Sequence, residues 1–200
     1  MKEHYYDKLL NIQTREEQKG FNKDLHYHRY EPTPYHALET LFSRYELKSS
    51  DYLVDFGCGK GRLNFYIYYA IQASAIGVEM NETFYQEALK NQKGYQRKYR
   101  NSIDKIKFLC CLAEEYPIQS FDNRFYFFNP FSLQIFMKVI NNILISVENS
   151  EREIELILYY PSEEYIFYLQ NHTSFKLKEE ITLPHYYERN QNERFLIYYL

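Results

Sequence analysis

The run Leu53-Val54-Asp55-Phe56-Gly57-Cys58-Gly59-Lys60-Gly61-Arg62 constrains this chain more than any other stretch of it. An apolar segment ends in an aspartate, glycine then takes three alternate positions, and an apolar-rich segment runs from Leu63 to Ile71. That order predicts a strand, a tight turn and a helix. Without Cβ atoms the glycines can take positive φ and bring backbone N–H groups close to a ligand. The helix that follows presents its positive end at the same place. The arrangement suits a nucleotide-like ligand, although G-x-G-x-G alone fits an ordinary loop or a dinucleotide fold equally well.

Composition limits what the turn can serve. Two hundred residues suit one domain, or one domain with a short appendage. A net charge of -3 and a pI near 6.1 lack the global basic excess that favours binding to a phosphate backbone. No uncharged apolar run approaches the roughly 18 residues of a membrane span, and the polar start Met1-Lys2-Glu3-His4 lacks a signal-peptide core, so a cytoplasmic protein is expected. Cys58, Cys110 and Cys111 form neither a disulfide framework nor a zinc spacing. His26, His28 and His36 have no carboxylate or cysteine to complete a ligand pattern, and no metal is expected. The 23 tyrosines and 15 phenylalanines, with no tryptophan, are read as AT-rich coding bias rather than as stacking surfaces.

Residues 1 to about 30 show no clear periodicity and predict a partly ordered arm. Tyr30-Glu31-Pro32-Thr33-Pro34-Tyr35 then disfavours helix before each proline, and a helix can start with Thr33 as N-cap and Pro34 at its first position. Leu38, Leu41, Phe42 and Tyr45 continue it at helical spacing. Beyond it the pattern predicts strand 52–56, helix 61–72, strand 75–79, helix 82–99, strands 105–110 and 124–129, helix 133–148, strand 153–160 and helix 162–170. In the helix 133–148, Phe136, Ile140, Ile143, Leu144 and Val147 form an inward stripe. Ser174–Lys178 alternates and Arg194–Leu200 is apolar, with no room between them for a long crossover helix, so these two strands should be antiparallel. The expected fold is an α/β three-layer sandwich: a mostly parallel seven-stranded sheet with an antiparallel C-terminal pair, plus an N-terminal helical arm over 1–49.

In an open α/β sheet, ligands bind beyond the carboxyl ends of the strands. Asp55 and Glu79 close the first two strands, Cys110-Cys111-Leu112-Ala113-Glu114 closes the third, and Asn129-Pro130-Phe131-Ser132 follows the fourth. Glu79, 24 residues after Asp55, stands where an acid can accept hydrogen bonds from ribose hydroxyls. The G-x-G-x-x-G spacing of dinucleotide enzymes is missing, since Arg62-Leu63 follows Gly61.

Val54-Asp55-Phe56-Gly57-Cys58-Gly59-Lys60-Gly61 resembles the glycine motif of class I S-adenosylmethionine (SAM)-dependent methyltransferases, and Gly77-Val78-Glu79-Met80 resembles their second motif. The order of elements over 50–200, the expected SAM-binding domain, is similar to that family as well. The resemblance implies that Gly57, Gly59 and Gly61, with Phe56 and Cys58 in the same turn, line the methionine and sugar portion of SAM. It implies that Asp55 supports the turn or the amino group, Glu79 holds the ribose diol and Met80 packs on adenine. Ala113 and Glu114 are candidates at the adenine edge, although a cysteine pair stands where the family's third motif carries Asp.

Asn129-Pro130-Phe131 resembles the Asn-Pro-Pro-Tyr element of amino-group methyltransferases, with one proline fewer, and the Asn-x-Phe element of Dot-one-like lysine methyltransferases. Either likeness implies transfer to an amine nitrogen held by Asn129, Pro130 and Phe131. Alternatively Asn129 caps the next helix and Phe131 fills a gap, and the acceptor is oxygen or carbon, or the chain binds SAM without catalysis. Tyr30, Thr33 and Tyr35 belong either to a lid over the cofactor or to a capped helix packed on the sheet. The acceptor is a small molecule or a protein in preference to nucleic acid. Seven Lys or Arg between Lys90 and Lys107 are read mainly as a solvated face.

Overall fold

The computed structural model describes residues 2–15 and 30–200; His26 and His28 lie outside them. Among the described residues fifteen elements follow one another: α1 (Lys2–Leu10), α2 (Tyr35–Arg44), β1 (Tyr52–Phe56), α3 (Arg62–Ile71), β2 (Ser74–Glu79), α4 (Glu82–Lys98), a 3-10 turn (Arg100–Ser102), β3 (Ile106–Cys110), a second 3-10 turn (Ala113–Glu115), β4 (Arg124–Phe127), α5 (Leu133–Asn149), β5 (Glu155–Tyr159), α6 (Glu163–His172), β6 (Lys176–Thr182) and β7 (Arg194–Tyr199). They build one seven-stranded sheet of order β3-β2-β1-β4-β5-β7-β6. Strands β1 to β5 pair in parallel, and β7 is antiparallel to both β5 and β6.

The inner strands β1, β2, β4 and β5 are near-continuous apolar runs because helices cover the sheet on both faces. Successive residues feed opposite cores. Leu53, Ala75, Tyr126 and Ile157 pack with α2 and α3, while Val54, Ile76, Phe125 and Leu156 pack with α5 and α6. The inward stripe of α5 is Ile135, Phe136, Val139, Ile140 and Ile143, flanked by half-buried Leu144 and Val147. At the amino ends of β4 and β5 a polar cluster seals the sheet: Arg124 lies 3.4 Å from Glu155 and 3.6 Å from Asp51, and Tyr45 Oη donates to Glu155 at 2.5 Å.

Four expectations change. The arm contains α1, which the apolar periodicity did not reveal because the face it buries is partly polar. Asp7 is buried there and accepts hydrogen bonds from Thr14 N–H (3.0 Å), Thr14 Oγ1 (2.9 Å) and Tyr35 Oη (2.8 Å). Thr33 does not cap α2: Pro34 is the N-cap, and the Thr33 hydroxyl instead pairs with Tyr126 Oη at 2.7 Å. β4 ends at Phe127 rather than at 129, since Asn129 takes a φ of +39° and turns the chain out of the sheet. The edge strand β6 also runs later than 174–178, because a bulge between Leu177 and Glu179 shifts the register and breaks the alternation.

Candidate functional site

The glycine turn sits where the carboxyl ends of β1, β2 and β4 meet. Gly57 has a φ of +78°, and the N–H groups of Gly57 and Cys58 both donate to Val78 O, at 2.9 and 3.1 Å. This fastens the turn to the neighbouring strand. A Cβ on Gly57 would stand 2.8 Å from Pro130 Cβ, so the close approach of the turn after β1 and the chain after β4 requires glycine. Gly59, with a φ of +55°, lies under the Tyr30 ring, where a Cβ would meet the ring at 2.2 Å.

Two buried carboxylates face this turn. Glu79 accepts from Gly59 N–H at 2.9 Å and from Asn81 N–H at 2.7 Å, one on each oxygen. Burial raises its pKa, and these N–H groups hold the rise back. Each oxygen keeps a further lone pair for a ligand hydroxyl. Asp55 is deeper; burial, and then the charge of Glu79, push its pKa up to about 8. In the orientation that satisfies both groups, the Asn64 amide donates to Asp55 Oδ2 at 3.1 Å and accepts from Gly77 N–H at 3.3 Å.

A pocket of about 110 Å³ gathers Asp55, Gly57, Cys58, Glu79, Met80 and Ala113 with Asn129, Pro130, Phe131, Tyr30 and Thr33. It therefore unites the ends of four strands with the arm. Phe131 is buried, and its carbonyl accepts from the Tyr165 hydroxyl. Ser132, not Asn129, is the N-cap of α5, so capping does not account for Asn129. Tyr30 closes the outer wall: its hydroxyl donates to Thr14 O at 2.9 Å and its ring lies 4.8 Å from that of Phe84.

Five residues singled out from the sequence lie outside the pocket lining. Gly59 is covered by Tyr30, Gly61 backs onto Phe108 and Phe65, and Phe56 is buried in the α5 core. Glu114 sits against α5, its carbonyl accepting from Asn142 Nδ2 at 2.8 Å and its carboxylate 3.6 Å from Lys138. Tyr35 packs inward, stacked 4.6 Å from Tyr6 and hydrogen bonded to Asp7, so it belongs to the helix-packing alternative rather than to a lid. His36 stacks on Tyr186 at 4.4 Å. Among the described residues no group of three His, Cys, Asp or Glu is close enough to hold a metal ion, and no helix is long and apolar enough to cross a membrane.

Sequence reasoning passed over Arg62, Asn81, Phe84, Cys111, Tyr126 and Phe128, which also line the pocket. Phe128, next to Asn129 at a strand end, carried a positional signal. Tyr126 carried none, because inside an apolar strand its hydroxyl is indistinguishable from a core tyrosine. Arg62 ties the site to the arm: Nε donates to Thr14 Oγ1 at 2.8 Å, Nη1 donates to Thr33 O at 3.2 Å and pairs with Glu3, and the guanidinium lies 4.5 Å over the Tyr35 ring.

The fold recurs in solved structures. An RNA methyltransferase from Salinibacter ruber in complex with S-adenosyl-L-homocysteine (SAH) superposes with a TM-score of 0.57 at 15% identity, over 84% of this chain and 92% of that one. The chain has the class I methyltransferase fold. A SAM-dependent methyltransferase from Thiobacillus denitrificans, also with SAH, matches at a TM-score of 0.53 and 12% identity over 84% and 91% of the two chains. Precorrin-6y C5,15-methyltransferase from Geobacter metallireducens matches at 0.57 and 13% over 82% and 85%. No family model and no curated protein sequence matches the chain. At these identities the likeness is one of fold.

Proposed function

We propose that this chain is a SAM-dependent methyltransferase whose acceptor is an amine nitrogen held at Asn129-Pro130-Phe131. The observation that carries the reading is the convergence of Asp55, Gly57 and Glu79 with Asn129 and Pro130 on one pocket, at the strand ends of a methyltransferase fold. The residues fit the cofactor. Gly57 lines the pocket through its backbone alone, Glu79 has acceptor capacity for a ribose diol, and Asp55, protonated at neutral pH, lies in the same pocket, where a cationic amino group would draw off its proton. Bound SAM supplies a methyl group on a positively charged sulfur.

Met80 and Ala113 on the β2 and β3 side form an apolar rim suited to adenine. Asn129 offers its side-chain amide oxygen and a backbone carbonyl, both acceptors for the hydrogens of an amine. Alignment of that nitrogen with the methyl carbon supplies much of the rate by approximation. The pocket, at about 110 Å³, is below the roughly 300 Å³ of small-molecule sites. Tyr30, Glu31, Pro32 and Thr33 therefore act as a lid that moves outward to admit cofactor and closes over it. An RNA methyltransferase stands among the structural neighbours, which makes RNA one candidate acceptor.

Calorimetry with SAM and SAH tests the cofactor, and methyl transfer from labelled SAM to cell-extract RNA, protein and metabolites tests the activity. Asn129→Ala is expected to lower turnover about a hundredfold or more with SAM affinity nearly unchanged. Correctly folded protein that binds neither SAM nor SAH would reject the reading.

A further inference from the structure

The basic run of α4 does not stand alone in the folded chain. Lys90, Lys93 and Arg97 lie at helical spacing along one side of α4, and α1 with the segment after it adds Lys8 and Arg15 across a groove of about 670 Å³. All five cations are exposed. Among the described residues the one carboxylate in the lining is Asp7, which is buried, accepts from Thr14 and Tyr35 and lies 3.6 Å from Arg15. Among the described residues, Lys8, Lys90, Lys93 and Arg97 have no carboxylate within ion-pair distance. Cations in the last turn of a helix are favoured by its dipole. That accounts for Arg97 and not for Lys90 in mid-helix, nor for Lys8 and Arg15 on another segment.

The groove is rigidly built. Asn11 Nδ2 donates to Gly94 O at 2.6 Å, Gln13 N–H donates to Asn91 Oδ1 at 2.9 Å, and Asn91 Nδ2 donates back to Gln13 O at 3.1 Å. A Cβ on Gly94 would stand 2.7 Å from Asn11 O, so the two walls meet backbone to backbone. Like charges are thus held together by the fold against their repulsion, an arrangement that an incoming polyanion relieves. The groove is also continuous with the candidate site. Tyr30, Glu31, Pro32 and Arg62 of the pocket line a second opening that includes Arg15, and Arg15 lines the basic groove.

Resting on the methyl-transfer reading, we propose that this groove docks a single strand of RNA, its phosphates along Lys8, Arg15, Lys90, Lys93 and Arg97 and its target base in the pocket. An acidic peptide meets the charge requirement as well. RNA is favoured because Lys90, Lys93 and Arg97 follow one another along a single side of α4 as phosphates follow one another along a strand, and Arg15 carries that line to the opening beside the pocket, where a base can enter.

The test is fluorescence anisotropy with a labelled oligouridine across a salt series. With about four phosphates neutralised, log affinity is expected to fall against log salt with a slope of about -3. The double substitution Lys90→Gln, Lys93→Gln should weaken binding about tenfold or more at low salt and reduce the slope by about 1.4. Lys176→Gln on β6 should change neither. An unchanged slope in the double variant, equal weakening by Lys176→Gln, or equally tight binding of polyglutamate overturns the proposal. SAM calorimetry on the same proteins separates the two readings. SAM binding without RNA binding removes the groove alone, and RNA binding with the stated slope but no SAM binding keeps the groove and removes the methyltransferase.

Discussion

Asp55→Asn should make the protein more stable at neutral pH, and increasingly so as pH rises. Asp55 is buried, and its pKa is pushed from the ordinary 3.8 up to about 8, first by burial and then by Glu79. The native state therefore keeps a proton that the unfolded chain releases near pH 4. Between those values the native state binds more protons than the unfolded one, so stability falls with rising pH and levels off only above the folded pKa. About four pH units at about 1.4 kcal/mol each give roughly 6 kcal/mol at full ionisation. Asparagine never ionises, and it keeps the shape and a hydrogen bond to Asn64. Urea unfolding of both proteins at several pH values measures the effect: the advantage of Asp55→Asn should grow by about 4 kcal/mol from pH 5 to pH 8. A difference independent of pH would refute the reasoning, because it would mean that Asp55 is ionised in the folded protein throughout.

Gly57→Ala forces a side chain into a φ of +78° and to within 2.8 Å of Pro130. A loss of about 1–2 kcal/mol from the backbone alone, read by thermal unfolding, should accompany at least a tenfold loss of SAM affinity. Tyr30→Ala removes the ring over Gly59, so stopped-flow association and dissociation of SAM should both accelerate with the melting temperature little changed; unaltered rates would mean that Tyr30 is not a lid. Glu155→Gln should cost about 3 kcal/mol by leaving Arg124 poorly compensated. Because Glu155 lies at the opposite ends of the strands, calorimetry should show SAM affinity unchanged.

Most of the sheet was legible because burial on both faces imposes long apolar runs on β1, β2 and β5, and because glycine and proline mark where those runs stop. The same logic places Asp55, Gly57, Glu79 and Asn129 at one edge of the sheet. Where local rules failed, a distant partner was responsible. α1 shows no apolar stripe because Asp7 is buried there beside Leu10, and a carboxylate counts as polar in any hydrophobic pattern until Thr14, Tyr35 and the neighbouring Arg15 surround it. Thr33 reads as a helix cap until Tyr126, 93 residues away, takes its hydroxyl.

From the sequence alone came a parallel α/β sheet with a reversed end, a glycine turn at its first strand and two acids beside it, all consequences of local periodicity and of backbone freedom at single residues. Tertiary structure alone decided that Tyr30 covers Gly59, that Arg62 joins the turn to Thr14 and Thr33, and that Lys8 and Arg15 face Lys90, Lys93 and Arg97. Those contacts link residues remote along the chain. Their partners are set by how helices pack on the sheet, which no local pattern encodes.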